Sequence, residues 1–184
     1  RASMDTQGLP QAEITFADLA KTRGYSTGAI GKWHLGHTTG FTPLERGFDY
    51  HYGFYQAFSL YVPAGTPNIV SHHHSDATDS YIWKNGRVGT GLIRRNREIL
   101  DEKDYLTERF ALEAEEFIDK NKDKPFVLYV PFNAPHTPFQ VPTEYYERFS
   151  KVSDENKRVY YAMISALDDA VGRIVKKVRE DGLE

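Results

Sequence analysis

The chain of 184 residues contains no cysteine, which excludes disulfide bonds and thiolate catalysis or metal ligation within it. It also lacks an excess of positive charge. Its 23 Lys and Arg residues stand against 26 Asp and Glu residues, a net charge of −3. That balance offers no electrostatic basis for binding nucleic acid or an anionic membrane. No apolar run approaches the length that spans a bilayer. We therefore expect no nucleic-acid partner and no membrane span.

The rest of the composition is typical of a globular domain. Hydrophobic residues make up 40% of the chain and charged residues 27%. A chain of this length can bury one substantial core, so a single domain is the simplest organisation.

Helical and extended patterns alternate along the sequence. Three segments have helical periodicity and two have extended character: 14–23, 105–121 and 153–180, then 25–33 and 125–132. Gly24 and Gly182 follow helical segments, as C-terminal stops do, and Ser153 is positioned to cap the last helix. The strand at 125–132 is continuously apolar, which is typical of a strand buried on both faces of a parallel sheet. We predict an α/β fold with a mostly parallel sheet flanked by helices.

Residues 41–96 differ from the rest of the chain. They are rich in glycine, proline, histidine and aromatic residues and show no sustained periodicity. We predict irregular loops with a few short strands, lying over one end of the sheet. Within this segment, residues 81–88 have the pattern of a β-hairpin that turns at Asn85 and Gly86.

The most informative stretch is residues 31–36 (GKWHLG), at the end of the first predicted strand. Side chains alternate faces in an extended segment, so Lys32 and His34 point one way and Trp33 points the other. A second cluster, residues 133–138 (NAPHTP), follows the second predicted strand and contains His136. Both clusters therefore place cationic or imidazole side chains just past a strand.

These clusters predict a binding site if the two strands are parallel neighbours. Ligands of open α/β sheets bind outside the carboxyl ends of the strands, where Lys32, His34 and His136 would then converge. An ammonium and two imidazoles are suited to a site that binds an anion and transfers a proton. Taken singly, each of the three is better explained as a solvated or structural residue than as a functional one. Only their combination at two strand ends favours a site.

Two other features invite functional interpretations. Residues 72–74 are three consecutive histidines, but consecutive side chains cannot all face one ion, and only Asp76 and Asp79 stand nearby. We favour a polar loop at the rim of the site over a metal centre. The aromatic stretch 52–61 could line a groove for sugars or aryl groups, although packing onto the core is the favoured interpretation.

The chain resembles the type I sulfatases, the arylsulfatase family within the alkaline-phosphatase-like superfamily. Residues 28–36 (GAIGKWHLG) resemble the second signature of that family. Further matching segments cover nearly the whole chain outside its variable middle: 8–10, 13–17, 23–27, 46–49, 52–54, 134–138 (APHTP) and 164–172. The signature together with APHTP is a far more specific signal than either motif alone.

The resemblance implies hydrolysis of a sulfate ester, with a sulfated sugar or an aryl sulfate as substrate. By this resemblance Lys32 would stabilise the aldehyde hydrate that serves as nucleophile and would contact a sulfate oxygen. His34 would hydrogen-bond the hydrate and take its proton when sulfate leaves. His136 would bind sulfate and help to protonate the departing alcohol. Lys32 and His136 are thus the expected substrate-binding residues, and all three are expected to be catalytic.

We find no residues in this chain that match the family's nucleophile or its metal ligands. The resemblance implies a formylglycine made from a C/S-x-P-x-R motif and a calcium ion that positions it, yet the chain has no such motif. Residues 1–4 (RASM) begin shortly after the motif would end, so we expect the formylglycine upstream of Arg1. We expect the calcium ligands outside residues 1–184 as well, so no metal ligand is assigned here.

We interpret residues 1–184 as an internal part of one sulfatase catalytic domain, incomplete at both ends. Residues 41–96 would form a variable insertion over the active-site end. On this reading we expect neither turnover nor tight calcium binding by the isolated chain. The resemblance alone favours a secreted, periplasmic or lysosomal-type compartment. Exposed sheet edges would make the isolated chain marginally stable or prone to associate with itself or a partner.

Two other functions remain open. A phosphoryl or phosphonate ester hydrolase of the same superfamily needs similar cationic surroundings, although the adjacent Trp33 and His34 favour a sulfatase. A non-catalytic module that recognises sulfated glycans could keep the same scaffold, because fold does not determine function.

Overall fold

A computed structural model of the protein describes residues 7–184. The helices are α1 (Phe16–Thr22), α2 (Ala77–Asn85), α3 (Leu106–Asn121), α4 (Thr143–Glu147) and α5 (Glu155–Glu180). The strands are β1 (Ser26–Lys32), β2 (Tyr50–Phe54), β3 (Ile69–His72), β4 (Arg94–Arg95), β5 (Glu98–Ile99), β6 (Phe126–Tyr129) and β7 (Phe139–Pro142). Two short 3-10 turns lie at Pro43–Glu45 and Gly89–Gly91.

The central sheet has five strands in the order β5-β4-β2-β1-β6. Strand β1 runs parallel to both β2 and β6, whereas the short strands β4 and β5 add an antiparallel edge. Strands β3 and β7 pair antiparallel in a separate two-stranded sheet. The predicted α/β class is confirmed, and the two strands predicted from the sequence are parallel neighbours.

Helices cover the sheet through three apolar clusters. Helix α3 packs Phe110 and Phe117 onto Ile30 of β1 and Tyr52 of β2. Helix α5 packs against β7 in a second cluster that includes Met163. The third cluster joins buried side chains of α1, β1 and the segment after it: Ala17, Ala29, Trp33, Phe48 and Tyr55. Each large apolar side chain buried in this way stabilises the fold by about 1.5–3 kcal/mol, so these clusters hold β1 rigidly between its neighbours.

Two glycines allow the central strands to approach closely where β1 ends. A Cβ atom added at Gly31 would lie 2.2 Å from the carbonyl oxygen of Pro131, and one at Gly53 would lie 2.0 Å from the carbonyl oxygen of Gly31. Both glycines also have positive φ angles, +134° and +143°, which side-chain-bearing residues rarely adopt. Glycine is therefore required at both positions.

The segment 41–96 is more regular than the sequence predicts. Strand β2 lies within it and occupies the middle of the central sheet. The hairpin predicted over 81–88 is wrong, because these residues belong largely to α2. The Asp76 side chain accepts hydrogen bonds from the backbone of Thr78 and Asp79 and so caps this helix. Gly86, with φ of 67°, ends the helix rather than turning a hairpin.

Two further local predictions are corrected. Strand β6 is not buried on both faces, because it lies at the edge of the sheet, where Tyr129 is 39% exposed. Helix α5 is capped by Asp154 rather than Ser153. Its buried face includes Met163 and Ala166, whereas Ile164, which belongs to the predicted apolar stripe, is substantially exposed. No helix within the described residues is both long and apolar enough to cross a membrane.

Candidate active site

The two sequence clusters meet where β1 ends. The Lys32 N–H, at the end of β1, donates a hydrogen bond of 2.8 Å to the carbonyl of Pro131, two residues past the end of β6. The segment 133–138 follows directly from this contact. The parallel pairing of β1 and β6 thus brings the carboxyl ends of both strands to one edge of the sheet.

Trp33 anchors the first cluster. Its side chain is buried, its indole Nε1 donates to the carbonyl of Phe41 at 2.7 Å, and its ring meets Phe48 edge to face at 5.8 Å. Trp33 is thus buried on the core side of this segment, in contrast to the residues on either side of it. Lys32 remains partly exposed and His34 exposed, so both side chains are accessible to a ligand.

His34 lies just beyond the strand rather than within it. Its φ angle is +56°, in the left-handed region that few residues other than glycine adopt. The backbone N–H of His34 donates to the carbonyl of Tyr55 at 2.9 Å, next to the end of β2. The hydrogen bond to this neighbouring segment, and not strand alternation, sets the position of the His34 backbone.

His136 lies in a turn that the backbone holds on both sides. Its N–H donates to the carbonyl of Asn133, and its own carbonyl accepts a hydrogen bond from the Tyr61 hydroxyl, each at 2.9 Å. The ring Nδ1 lies 2.6 Å from the carbonyl of Thr137. Because a carbonyl oxygen can only accept, Nδ1 carries a proton and Nε2 is the nitrogen left for a ligand. The residue is exposed.

Electrostatics link the three predicted site residues. Partial burial lowers the pKa of His34, and the positive charges of Lys32 and His136 lower it further. Partial burial also lowers the pKa of Lys32. The structure therefore brings Lys32 and His136 within electrostatic reach of His34. A neutral imidazole beside cationic groups can accept a proton, while the cations stabilise negative charge on a ligand.

Of the three consecutive histidines, His72 ends β3, and His73 and His74 lie in the loop that follows. His72 pairs with Phe139 in the two-stranded sheet, three residues after His136. The His73 ring stacks on Trp83 with centroids 3.9 Å apart, and the His74 backbone N–H donates to the buried carboxylate of Asp79 at 2.7 Å. The His72 and His74 rings meet edge to face with centroids 5.1 Å apart, so these two rings pack together while the His73 ring packs elsewhere.

The aromatic stretch 52–61 supplies core packing. Tyr52, Phe54, Tyr55 and Tyr61 are all buried. The favoured interpretation, packing rather than a groove lining, is confirmed for these four side chains.

Comparison with known proteins identifies the family. A sulfatase family model matches residues 1–184. The chain belongs to the sulfatase family. Among its relatives, arylsulfatase J of Mus musculus is 30% identical, and the match covers 95% of this chain and 27% of the relative. N-acetylgalactosamine-6-sulfatase of Sus scrofa is also 30% identical, over 94% of this chain and 31% of the relative.

Solved structures agree with this assignment. The crystal structure of Ps i-CgsB in complex with k-i-k-neocarrahexaose superimposes with a TM-score of 0.82 at 29% identity, covering 99% of this chain and 40% of the other. The α/β fold of the chain is thus the alkaline-phosphatase-like fold of sulfatases. The chain spans roughly a third or less of the length of the curated relatives named above, 27% and 31%.

The described part of this sulfatase chain does not provide a set of ligands for the calcium ion that the family resemblance implies. Within residues 7–184, no group of three or more His, Asp or Glu side chains could hold a metal ion. We therefore assign no step to calcium. Residues 1–4, which are expected to follow just after the nucleophile motif, lie outside the described residues.

Sequence reasoning missed two polar residues at this edge of the sulfatase fold. The Gln56 side-chain amide lies 2.6 Å from Nδ1 of His37, which directly follows the GKWHLG motif. The side chain of Asn133 is buried, and its Oδ1 has no hydrogen-bond partner within residues 7–184. Asn133 could have been found from the sequence, because it belongs to the NAPHTP cluster. Nothing in the sequence links His37 to Gln56.

Proposed function

We propose that the protein containing this chain hydrolyses a sulfate ester, with Lys32, His34 and His136 acting at the sulfate group. The family match supports the reaction class. The observation that carries the residue assignment is the parallel pairing of β1 and β6, with the hydrogen bond from the Lys32 N–H to the Pro131 carbonyl, because it brings two segments about a hundred residues apart in the sequence to one edge of the sheet.

Lys32 and His136 would bind the sulfate. Sulfuryl transfer increases negative charge on the leaving oxygen and requires stabilisation of the equatorial oxygens. Fixed cations at these positions therefore bind the transition state more tightly than the ground state. The exposed Nε2 of His136, once protonated, can donate its proton to the departing alcohol. His34 is the proton acceptor, because the lowered pKa keeps its imidazole neutral near pH 7.

None of Lys32, His34 and His136 is the nucleophile that attacks sulfur in this proposal. The chain contains no cysteine and no C/S-x-P-x-R motif from which a formylglycine could form. In our proposal the formylglycine and the calcium ion belong to parts of the protein outside residues 1–184. The isolated chain would then bind an oxyanion without releasing sulfate.

A sulfated carbohydrate is the proposed substrate. The similar structure of Ps i-CgsB was solved with neocarrahexaose bound, and one relative is an N-acetylgalactosamine-6-sulfatase. Both names refer to carbohydrates, and the loop region beside the proposed site in this chain presents exposed histidine and aromatic side chains that can contact sugars.

The test uses the complete protein, carrying its formylglycine, with release of sulfate measured from aryl sulfates and sulfated oligosaccharides. We expect sulfate release, and Lys32→Met should lower kcat/KM by roughly a hundredfold or more. The matched control is Lys151→Met, which removes an exposed lysine in the turn before α5 and should leave the rate unchanged.

Three results would overturn the proposal. Cleavage of phosphate esters without cleavage of any sulfate ester would favour the phosphoryl hydrolase. Binding of sulfated oligosaccharides without release of sulfate would favour a non-catalytic module. Equal rates for the Lys32→Met variant and the parent would show that Lys32 has no role in the reaction.

A further inference from the structure

A second group of side chains lies beyond the end of β2, beside the segment that follows His34. Tyr81 of α2 is 47% exposed and meets Phe58 edge to face, with ring centroids 6.4 Å apart. Gln56 is buried beside them and contacts His37. None of these four residues has a role in the proposed reaction, and the exposed surface of Tyr81 is available to a ligand.

The contact between His37 and Gln56 indicates which imidazole nitrogen carries the proton. The side-chain amide nitrogen of Gln56 lies 2.6 Å from His37 Nδ1. An amide nitrogen can only donate, so Nδ1 accepts, and the neutral ring carries its proton on Nε2. Because Gln56 is buried, the His37 ring is held in one orientation and presents an N–H donor.

The chain path places this pair beside the proposed catalytic residues. His37 lies three residues after His34, and Gln56 immediately follows Tyr55, whose carbonyl accepts the hydrogen bond from the His34 backbone. Tyr81 lines the same recess as Gln56 and Phe58. A ligand that extends from the sulfate site across the end of β2 would therefore meet His37 and then Tyr81.

We propose that His37, Gln56, Phe58 and Tyr81 form a sugar subsite, which binds a pyranose ring next to the sulfated position of an oligosaccharide. This inference rests on the proposed sulfatase function. Tyr81 offers an aromatic face for the C–H surface of the ring, and His37 offers a donor for a hydroxyl oxygen; ligand sites commonly combine apolar surfaces with a few such polar groups.

The size of the recess determines how the ring binds. The recess lined by Gln56, Phe58 and Tyr81 has a volume of about 40 Å³, which is room for a few water-sized groups because one water needs roughly 10–15 Å³ by the same measure. A pyranose ring cannot enter it. The ring therefore lies over Tyr81, and the recess takes a single small substituent such as a hydroxyl group.

The test compares two substrates on the complete, formylglycine-bearing protein. For Tyr81→Ala, we expect the fall in kcat/KM for a sulfated oligosaccharide to exceed the fall for 4-nitrophenyl sulfate by roughly tenfold, mainly through KM. His37→Ala should show the same preference. The control is Tyr25→Ala, which removes a 39% exposed tyrosine just before the amino end of β1 and should change neither value.

Each outcome bears on one proposal. Equal losses on both substrates for Tyr81→Ala and His37→Ala would overturn the subsite and leave the sulfatase function standing. Failure of the parent protein to release sulfate from either substrate would overturn the function itself. If Tyr81→Ala fails to fold, as thermal unfolding would reveal, His37→Ala decides the question alone.

Discussion

His34 combines two properties that arise at the residue scale. Its backbone has a φ angle of +56°, held by a hydrogen bond to Tyr55, and its pKa is lowered by burial and by the charges of Lys32 and His136. A neutral base in a cationic setting is chemically useful, because the imidazole can take up a proton at neutral pH while the cations attract the anionic substrate.

This coupling predicts a measurable change in one pKa. Replacing Lys32 by methionine removes a positive charge that lowers the pKa of His34, so that pKa should rise toward the ordinary value of 6.5. An NMR titration of the histidine rings would measure it. His34 must be neutral to accept a proton, so activity falls as pH drops through this pKa. The acid limb of kcat/KM should accordingly move to higher pH in Lys32→Met.

Lys151→Met provides the control for the titration, since it removes one exposed positive charge at a turn before α5. This variant should leave the pKa of His34 unchanged. The coupling would be refuted by a His34 curve that is identical in the parent and in Lys32→Met.

At the scale of elements, β1 and its two parallel neighbours position the whole site. The close approach of the backbone at Gly31 and Gly53 lets the end of β1 lie against Pro131 on one side and the end of β2 on the other. The site residues follow directly from these strand ends. Small changes in strand spacing should therefore affect both stability and the geometry of the site.

Two glycine substitutions should have opposite effects on the free energy of unfolding. At Gly31 an alanine Cβ would lie 2.2 Å from the Pro131 carbonyl at a φ of +134°, and the backbone strain alone should cost about 1–3 kcal/mol. At Gly172, within α5, an added Cβ meets nothing within 4 Å. Gly172→Ala should stabilise the protein by about 1 kcal/mol.

Urea unfolding of the two variants beside the parent measures both values. A Gly31→Ala variant as stable as the parent would contradict the close approach of β1 to Pro131. Loss of stability in Gly172→Ala would show that α5 packs on that side.

At the scale of the whole molecule, one side of the chain has exposed apolar surface. Strand β6 pairs with β1 on one edge, and no strand within residues 7–184 pairs with its other edge. A neighbouring apolar cavity of about 280 Å³ is lined by Phe16, Trp33, Leu35 and Tyr129, among others. Unpaired edges and large apolar patches promote association.

The isolated chain is therefore expected to self-associate through this side. Sedimentation velocity at increasing concentration should show growing oligomers, and Tyr129→Lys, which places a charge on the edge strand, should reduce them. The control is Tyr25→Lys, because Tyr25 and Tyr129 are each 39% exposed. A monomer at every concentration, or equal association of the two variants, would count against this surface.

Much of the fold and the site could be predicted from local patterns. Helix α3 and strands β1 and β6 follow from apolar spacing, and Trp33 is buried while its neighbours Lys32 and His34 are at least partly exposed. Other features could not be predicted in this way. Strand β2 is buried throughout most of its length, so it shows no alternation, and Asn85 with Gly86 reads equally as a turn or as the end of α2.

The sequence by itself determined the family, the α/β class and the residue types at the ends of β1 and β6, because these depend on local motifs and on spacing along the chain. Only the tertiary structure decided which segments lie beside them. The coupling of His34 to His136, the contact between His37 and Gln56, and the exposed edge of β6 all depend on strand order and packing. Those long-range arrangements join residues far apart in the chain, and no local pattern encodes them.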